Sequence, residues 1–117
     1  MGFFDIFKRR PTLPTLSAAE FVAQRASDAL VLDVRTPGEF AQGHLTGARN
    51  VNVMAGGFDA QIEALGLDKD APVYLYCRSG HRSGQAQRRL AALGFAQPVN
   101  VGSFSALKQA GASTSQP

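Results

Sequence analysis

Residues 73–84 constrain this chain more than any other stretch. Val73-Tyr74-Leu75-Tyr76-Cys77 is apolar on both faces, the pattern of a strand covered on each side rather than one with a wet face. Directly after it come Arg78-Ser79-Gly80-His81-Arg82-Ser83-Gly84, and then Ala86, Leu90 and Leu93 at helical spacing, stopped by Gly94. A buried strand that runs through a short polar turn into a helix is half of a parallel βα unit. The chain therefore has to supply parallel neighbours for that strand and helices for both of its faces.

The rest of the sequence supplies them. Ala29–Val34, Asn50–Val53 and Val99–Val101 read as further strands. Ser17 with Glu20, and Thr36 with Pro37 and Glu39, are capping-box patterns that open two helices. Phe58, Ile62 and Leu65 mark another, stopped at Gly66, and a short last helix is expected from about Phe104 to Ala110. There is no internal repeat. The alternation predicts an α/β domain with a small parallel sheet between two helical layers. At 117 residues, one core burying roughly two-thirds of the unfolded chain's surface is enough. The expected domain is 17–111, preceded by an extension, 1–16, and followed by a small, polar, disordered tail, 112–117. In the extension Phe3, Phe4, Ile6 and Phe7 precede Lys8-Arg9-Arg10, and Pro11 and Pro14 break regular structure. These rings could dock on a membrane or a partner, but membrane anchors are usually longer, so they are expected to cover the domain's own surface or to be loosely ordered.

The chemistry is concentrated at the carboxyl end of the Val73–Cys77 strand, where open α/β sheets bind ligands. A Ser- and Gly-rich turn lets successive backbone N–H groups converge on one point, and a helix amino terminus behind it favours negative charge. The anion at hand is the Cys77 thiolate. Converging amides, the helix dipole and the cations Arg78 and Arg82 all lower a thiol pKa from its free value of roughly 8.5. A lone cysteine at a strand end is ordinarily an inert buried thiol. Two arginines, a histidine and small residues around it make a poor passive core turn, which reverses that reading. One cysteine excludes an internal disulfide, and with only His44 and His81 beside it the chain falls short of a structural zinc site. No cofactor is called for. The net charge of +3 is mild, and the dense arginines, Arg78, Arg82, Arg88 and Arg89, surround the cysteine instead of lining a groove, so nucleic acid is not the expected partner. No apolar run approaches the about 20 residues needed to span a bilayer, and the expected setting is reducing and cytoplasmic.

Two blocks carry a family resemblance: Leu30–Val53, LVLDVRTPGEFAQGHLTGARNVNV, and Val73–Phe95, VYLYCRSGHRSGQAQRRLAALGF. Both resemble the single-domain rhodaneses, a family of thiosulfate and related sulfurtransferases. The first matches the family's Asp-x-Arg, Glu-Phe, Gly-His and Gly-Ala landmarks and the second its cysteine loop. The resemblance implies a small parallel sheet flanked by helices and a double displacement, in which the cysteine takes sulfane sulfur from an anionic donor and passes it to an acceptor. Carried over, Cys77 is the nucleophile and persulfide carrier. Arg78, Ser79, Gly80, His81, Arg82 and Ser83 bind the sulfur and its donor, with Arg78 and Arg82 attracting the anion. Asp33, Arg35, Glu39 and His44 brace the fold nearby. The acceptor, a thiol, cyanide or a protein, must come from outside, since no second cysteine exists to resolve a persulfide. His81 is open between contact with donor or acceptor and a solvent-facing position.

Where many relatives have a double glycine, an aromatic and then Trp, this chain has Gly102-Ser103-Phe104 and Leu107. That departure concerns the pocket rim and so the choice of acceptor. Two other readings use the same residues. A phosphatase or arsenate reductase also holds a thiolate in an anion cradle, but such cradles place an arginine one position further from the cysteine, where this chain has Ser83. A sulfur-carrier or regulatory module would keep the fold to serve one protein partner without turnover.

Overall fold

The computed structural model describes residues 13–25 and 28–116. Phe3, Phe4, Ile6 and Phe7, with the surface or membrane role expected for them, lie outside the described residues. The elements run α1 (Ala18–Gln24), β1 (Leu30–Asp33), α2 (Pro37–Gln42), β2 (His44–Leu45), β3 (Arg49–Asn50), α3 (Phe58–Ala64), β4 (Pro72–Cys77), α4 (His81–Ala92), β5 (Gln97–Ser103), α5 (Phe104–Gln109) and β6 (Thr114–Ser115). The main sheet has the order β3-β1-β4-β5, all parallel.

Alternation along β1 and β4 divides the core between the two faces of this sheet. Leu32, Val73, Leu75 and Cys77 turn towards α3 and α4, where they meet Phe58, Ile62, Ala86 and Leu90. Val31 and Tyr76 turn the other way and pack with Phe21 of α1, Leu107 of α5 and Leu45. The doubly apolar run Val73–Cys77 is thus a central strand, and the architecture is the expected three-layer α/β domain. Both capping boxes form. Glu20 N donates to Ser17 Oγ at 3.1 Å and Ser17 N to Glu20 Oε1 at 2.9 Å, and Thr36 and Glu39 repeat the arrangement at the start of α2. Gly66 and Gly94, the expected stops, both take positive φ.

Both ends of the domain differ from expectation. The segment assigned to the extension joins the sheet: Thr15 bridges Asn100 in parallel, Leu16 N donates to Asn100 O at 3.0 Å, and Asn100 N donates to Pro14 O at 3.1 Å. Without it, β5 would be an open edge, and an edge accommodates Pro14, which offers a carbonyl and no N–H. Buried Gln87 of α4 fastens the same segment, its Nε2 donating to Pro14 O at 2.6 Å and Pro98 O at 2.8 Å. The fold therefore starts before residue 17. The tail expected to be disordered is also in place up to Gln116. Its β6 pairs antiparallel with β2, a two-residue strand that the sequence pattern did not announce. Thr46 N donates to Ser113 O at 2.9 Å and Gln116 Nε2 to Gln42 O at 2.8 Å. Small polar residues fail to signal this pairing because backbone groups and short hydroxyls make it.

Candidate active site

Cys77 closes β4, and the chain then turns through Arg78, Ser79 and Gly80 into α4. His81, Arg82 and Ser83 are the first turn of that helix rather than loop. At the starts of α1 and α2 a side chain on the N-cap residue accepts from the amide three positions on. The N-cap of α4 is Gly80, which has no side chain to do so. Cys77 Sγ takes over, accepting from Gly80 N at 3.0 Å and Ser83 N at 3.3 Å, with Ser83 Oγ at 3.5 Å. The amides of His81 and Arg82, between them, have no acceptor among the described residues. Gly80 sits at φ +92°, a backbone conformation that favours glycine, while the space beside Gly102 would admit a Cβ at ordinary contact distance.

Sulfur at a helix amino terminus feels opposing influences. Burial, complete for Cys77, pushes its pKa up. The Ser83 hydroxyl and the amides of Ser83, Ser79 and Gly80 pull it down and prevail, so the thiol ionises more readily than an ordinary cysteine. That is the electronic state of a nucleophile, in a side chain that would otherwise be an inert part of the core.

Around this cradle the expected residues divide into two groups. Asp33 and Arg35 form a buried fork, Nε to Oδ1 at 2.9 Å and Nη2 to Oδ2 at 2.6 Å, and Nη2 also donates to Gly43 O at 2.6 Å. Tyr76 completes the group by donating its hydroxyl to Asp33 Oδ2 at 2.6 Å and accepting from Leu45 N at 2.9 Å. Burial, seconded by Asp33, pushes the Tyr76 pKa far up. His44 lies flat against Phe40, ring centres 3.7 Å apart, with Nδ1 against Phe40 O at 3.0 Å, which makes that nitrogen the donor. None of these reaches Cys77 Sγ.

Glu39 does not join the Asp33–Arg35 pair. It meets Arg82, Nη1 to Oε1 at 2.8 Å and Nη2 to Oε2 at 3.0 Å. The Arg82 guanidinium, expected to attract an anion, gives one N–H of each terminal nitrogen to this carboxylate, which balances its charge. The pair instead ties α2 to the first turn of α4. Arg82 holds the Glu39 carboxyl down to about 2, against an ordinary 4.5. A depressed carboxyl contributes stability that is complete above the ordinary value and lost as pH falls through the depressed one. Replacing Glu39 by Gln is expected to cost about 1 kcal/mol at neutral pH, after screening by solvent. Urea unfolding of both proteins across the acid range should show that difference shrinking below pH 4.5 and gone near pH 2.

Arg78 and His81 are exposed, and among the described residues Arg78 makes no ion pair. Arg78 lines a cleft of about 610 Å³ with Arg35, Glu39, Gln42, Gly43 and Phe104. Phe104 covers the Arg35 guanidinium at 4.5 Å and forms one wall. Cys77 itself is enclosed and does not line this cleft. The departure at Gly102-Ser103-Phe104 has a simple structural outcome. Ser103 is the N-cap of α5, its Oγ accepting from Ala106 N at 3.1 Å, and Leu107 is buried in the second core.

One residue at the site was not anticipated. Asn100 of β5 places Oδ1 2.7 Å from Ser83 Oγ and 3.0 Å from Gly102 N, while its Nδ2 donates to Gly80 O at 3.1 Å. An asparagine inside a strand-like run carries no sequence signal for this role. Among the described residues no group of His, Cys, Asp or Glu could hold a metal ion, and no helix is long and apolar enough to cross a membrane.

Known proteins share both the sequence and the architecture. Residues 17–110 match the family model of the rhodanese-like domain. The chain is 35% identical over 86 residues to a sulfurtransferase of Allochromatium vinosum, covering 71% of this chain and 77% of that protein. It is 34% identical over 95 residues to the thiosulfate sulfurtransferase GlpE of Pseudomonas putida, covering 81% and 78%. The rhodanese-like domain of an Anabaena protein, solved by solution NMR, superposes with a TM-score of 0.75 at 22% identity, over 91% of this chain and 81% of that one. A parallel sheet with helices on both faces, a cysteine capping the helix after its central strand, and matched sequence over nearly the whole domain place this chain in the rhodanese-like domain family, among relatives named as sulfurtransferases.

Proposed function

We propose that this protein is a sulfurtransferase that moves a sulfane sulfur from a small anionic donor, thiosulfate or a related polysulfide or persulfide, through a persulfide on Cys77 to an outside acceptor. The observation that carries the reading is the ring of donors on Cys77 Sγ: two amides and a hydroxyl within 3.5 Å at the start of α4. It stabilises the thiolate before the donor arrives and again when the thiolate leaves.

In the first half-reaction the thiolate attacks the outer sulfur of thiosulfate. A bond forms between Sγ and that sulfur, the donor's S–S bond breaks, and sulfite leaves with the electron pair. The terminal sulfur of the persulfide carries negative charge, and the unpartnered amides of His81 and Arg82 lie beside those already on Sγ. Arg82 thus serves through its backbone, with Ser79, Gly80 and Ser83, while its side chain braces the turn. Arg78 is the cation left to draw in an anion, and exposed His81 flanks the approach. Because Cys77 is enclosed, a donor has to displace rim side chains to reach it. In the second half-reaction a thiol or cyanide attacks the terminal sulfur and Sγ departs as thiolate. With one cysteine in the chain, this acceptor is a small molecule or another protein.

Incubation with thiosulfate is expected to add one sulfur atom to the protein, seen by mass spectrometry of the intact chain, and cyanide should remove it with formation of thiocyanate. No added sulfur from thiosulfate, polysulfide or a small persulfide would overturn the proposal. So would hydrolysis of an aryl phosphate at a comparable rate.

A further inference from the structure

We propose that Asn100 is a positioning residue for Cys77, holding the Ser83 hydroxyl in the arrangement that lets it serve the sulfur. The inference rests on the reading of Cys77 as the working thiolate.

The orientation of Asn100 is determined by its surroundings. Gly102 N can only donate and Gly80 O can only accept, so the oxygen of the side chain faces the first at 3.0 Å and its nitrogen the second at 3.1 Å. The backbone of Asn100 is clamped on its other side by Pro14 and Leu16. Ser83 Oγ has a single proton and three acceptors in reach: Asn100 Oδ1 at 2.7 Å, Gly80 O at 3.1 Å and Cys77 Sγ at 3.5 Å. A carbonyl oxygen has two lone pairs. At Gly80 both are taken, by Gly84 N at 3.2 Å and by Asn100 Nδ2. The hydroxyl therefore favours the asparagine oxygen at 2.7 Å over the shared carbonyl at 3.1 Å, and that oxygen is a neutral acceptor that retains the Gly102 amide when the hydroxyl leaves. Once Cys77 ionises, the charged sulfur is the stronger acceptor and the same O–H turns to it without displacement of the oxygen. Without Asn100, Ser83 Oγ loses the 2.7 Å partner that fixes its rotamer beside the sulfur, and the side chain no longer holds its O–H towards the thiolate.

Asn100→Ala is expected to raise the midpoint of Cys77 ionisation by about one pH unit, read from the ultraviolet absorbance of the thiolate with Cys77→Ser as the blank. Ser83→Ala should raise it similarly, and adding Asn100→Ala to that variant should move it little further, because the asparagine acts through the hydroxyl. Asn100→Asp keeps the shape and the acceptor, loses the donor to Gly80 and brings a negative charge, so its midpoint should rise further still. It also serves where the alanine variant does not fold. A midpoint unchanged in both Asn100 variants, or shifts that add in the double variant, would overturn the inference; loss of stability alone, with no movement of the midpoint, would mark a merely structural asparagine. The titration needs no sulfur donor. A shifted midpoint in a protein that takes no sulfur would sink the transfer reading and leave this one standing.

Discussion

Cys77→Ser is expected to reduce sulfur uptake and delivery to the uncatalysed background while the protein stays folded. Serine preserves the shape of the side chain and an acceptor for Gly80 N and Ser83 N, so the start of α4 stays capped and stability should change by no more than about 1 kcal/mol. What disappears is the thiolate. A hydroxyl stays protonated at neutral pH and forms no persulfide, and the chain has no other thiol to substitute. A thiosulfate:cyanide assay beside a urea unfolding curve measures both halves of this expectation. Residual turnover above the blank would remove Cys77 from the mechanism. Cys77→Ala makes a useful contrast. It has the same chemical defect but leaves two amides without an acceptor, and should lose about 1–3 kcal/mol.

Asp33→Ala should be the most damaging single change to the fold. The carboxylate is fully buried and receives Nε and Nη2 of Arg35, the Arg35 amide and the Tyr76 hydroxyl. Removing it strands a buried guanidinium whose remaining acceptor is Gly43 O, together with a buried phenol. Losing one partner of a buried pair costs about 3–5 kcal/mol, because the charge left behind is uncompensated. That is a large part of the stability of a small domain. Unfolding by urea should show it directly, and a loss under about 1 kcal/mol would mean that water or another group replaces the carboxylate. The effect on chemistry should be indirect, since the group ends at Tyr76, one residue before the cysteine on the opposite face of β4. Asp33→Asn, which keeps one acceptor oxygen but loses the charge and turns an NH2 towards the Arg35 and Tyr76 donors, should fall between the wild type and Asp33→Ala.

Much of the fold was legible because it is written locally. The doubly apolar run Val73–Cys77, the helical spacing of Phe58 with Ile62 and of Ala86 with Leu90, and the capping boxes at Ser17 and Thr36 each depend on residues within a few positions of one another. The same holds for the core of the candidate site. Cys77, Gly80 and Ser83 are three and six positions apart, so a strand ending in a turn that opens a helix brings them together whatever the rest of the chain does. Strand ends were less legible. Val99–Val101 extends to Gln97–Ser103, because Pro14 and Leu16 on one side and β4 on the other supply partners that side-chain pattern does not reveal. The end of the domain was misread for the same reason, since Thr114–Ser115 is held by backbone and hydroxyl pairing that leaves no hydrophobic trace.

Sequence alone determined the three-layer α/β domain, the place of the single cysteine at a strand end, and the small, amide-rich turn that receives it, because periodicity, caps and a βα turn are short-range properties of the chain. Tertiary structure alone decided which charge meets which. Glu39 finds Arg82 forty-three positions away and Tyr76 finds Asp33 at the same separation, so an arginine expected to draw in an anion is paired with a carboxylate and a core tyrosine becomes a hydrogen-bonding partner. Asn100 comes to the cysteine from the neighbouring strand in the same way. Such pairings follow from strand order and register, which set distances between residues remote in the chain, and no local pattern encodes them.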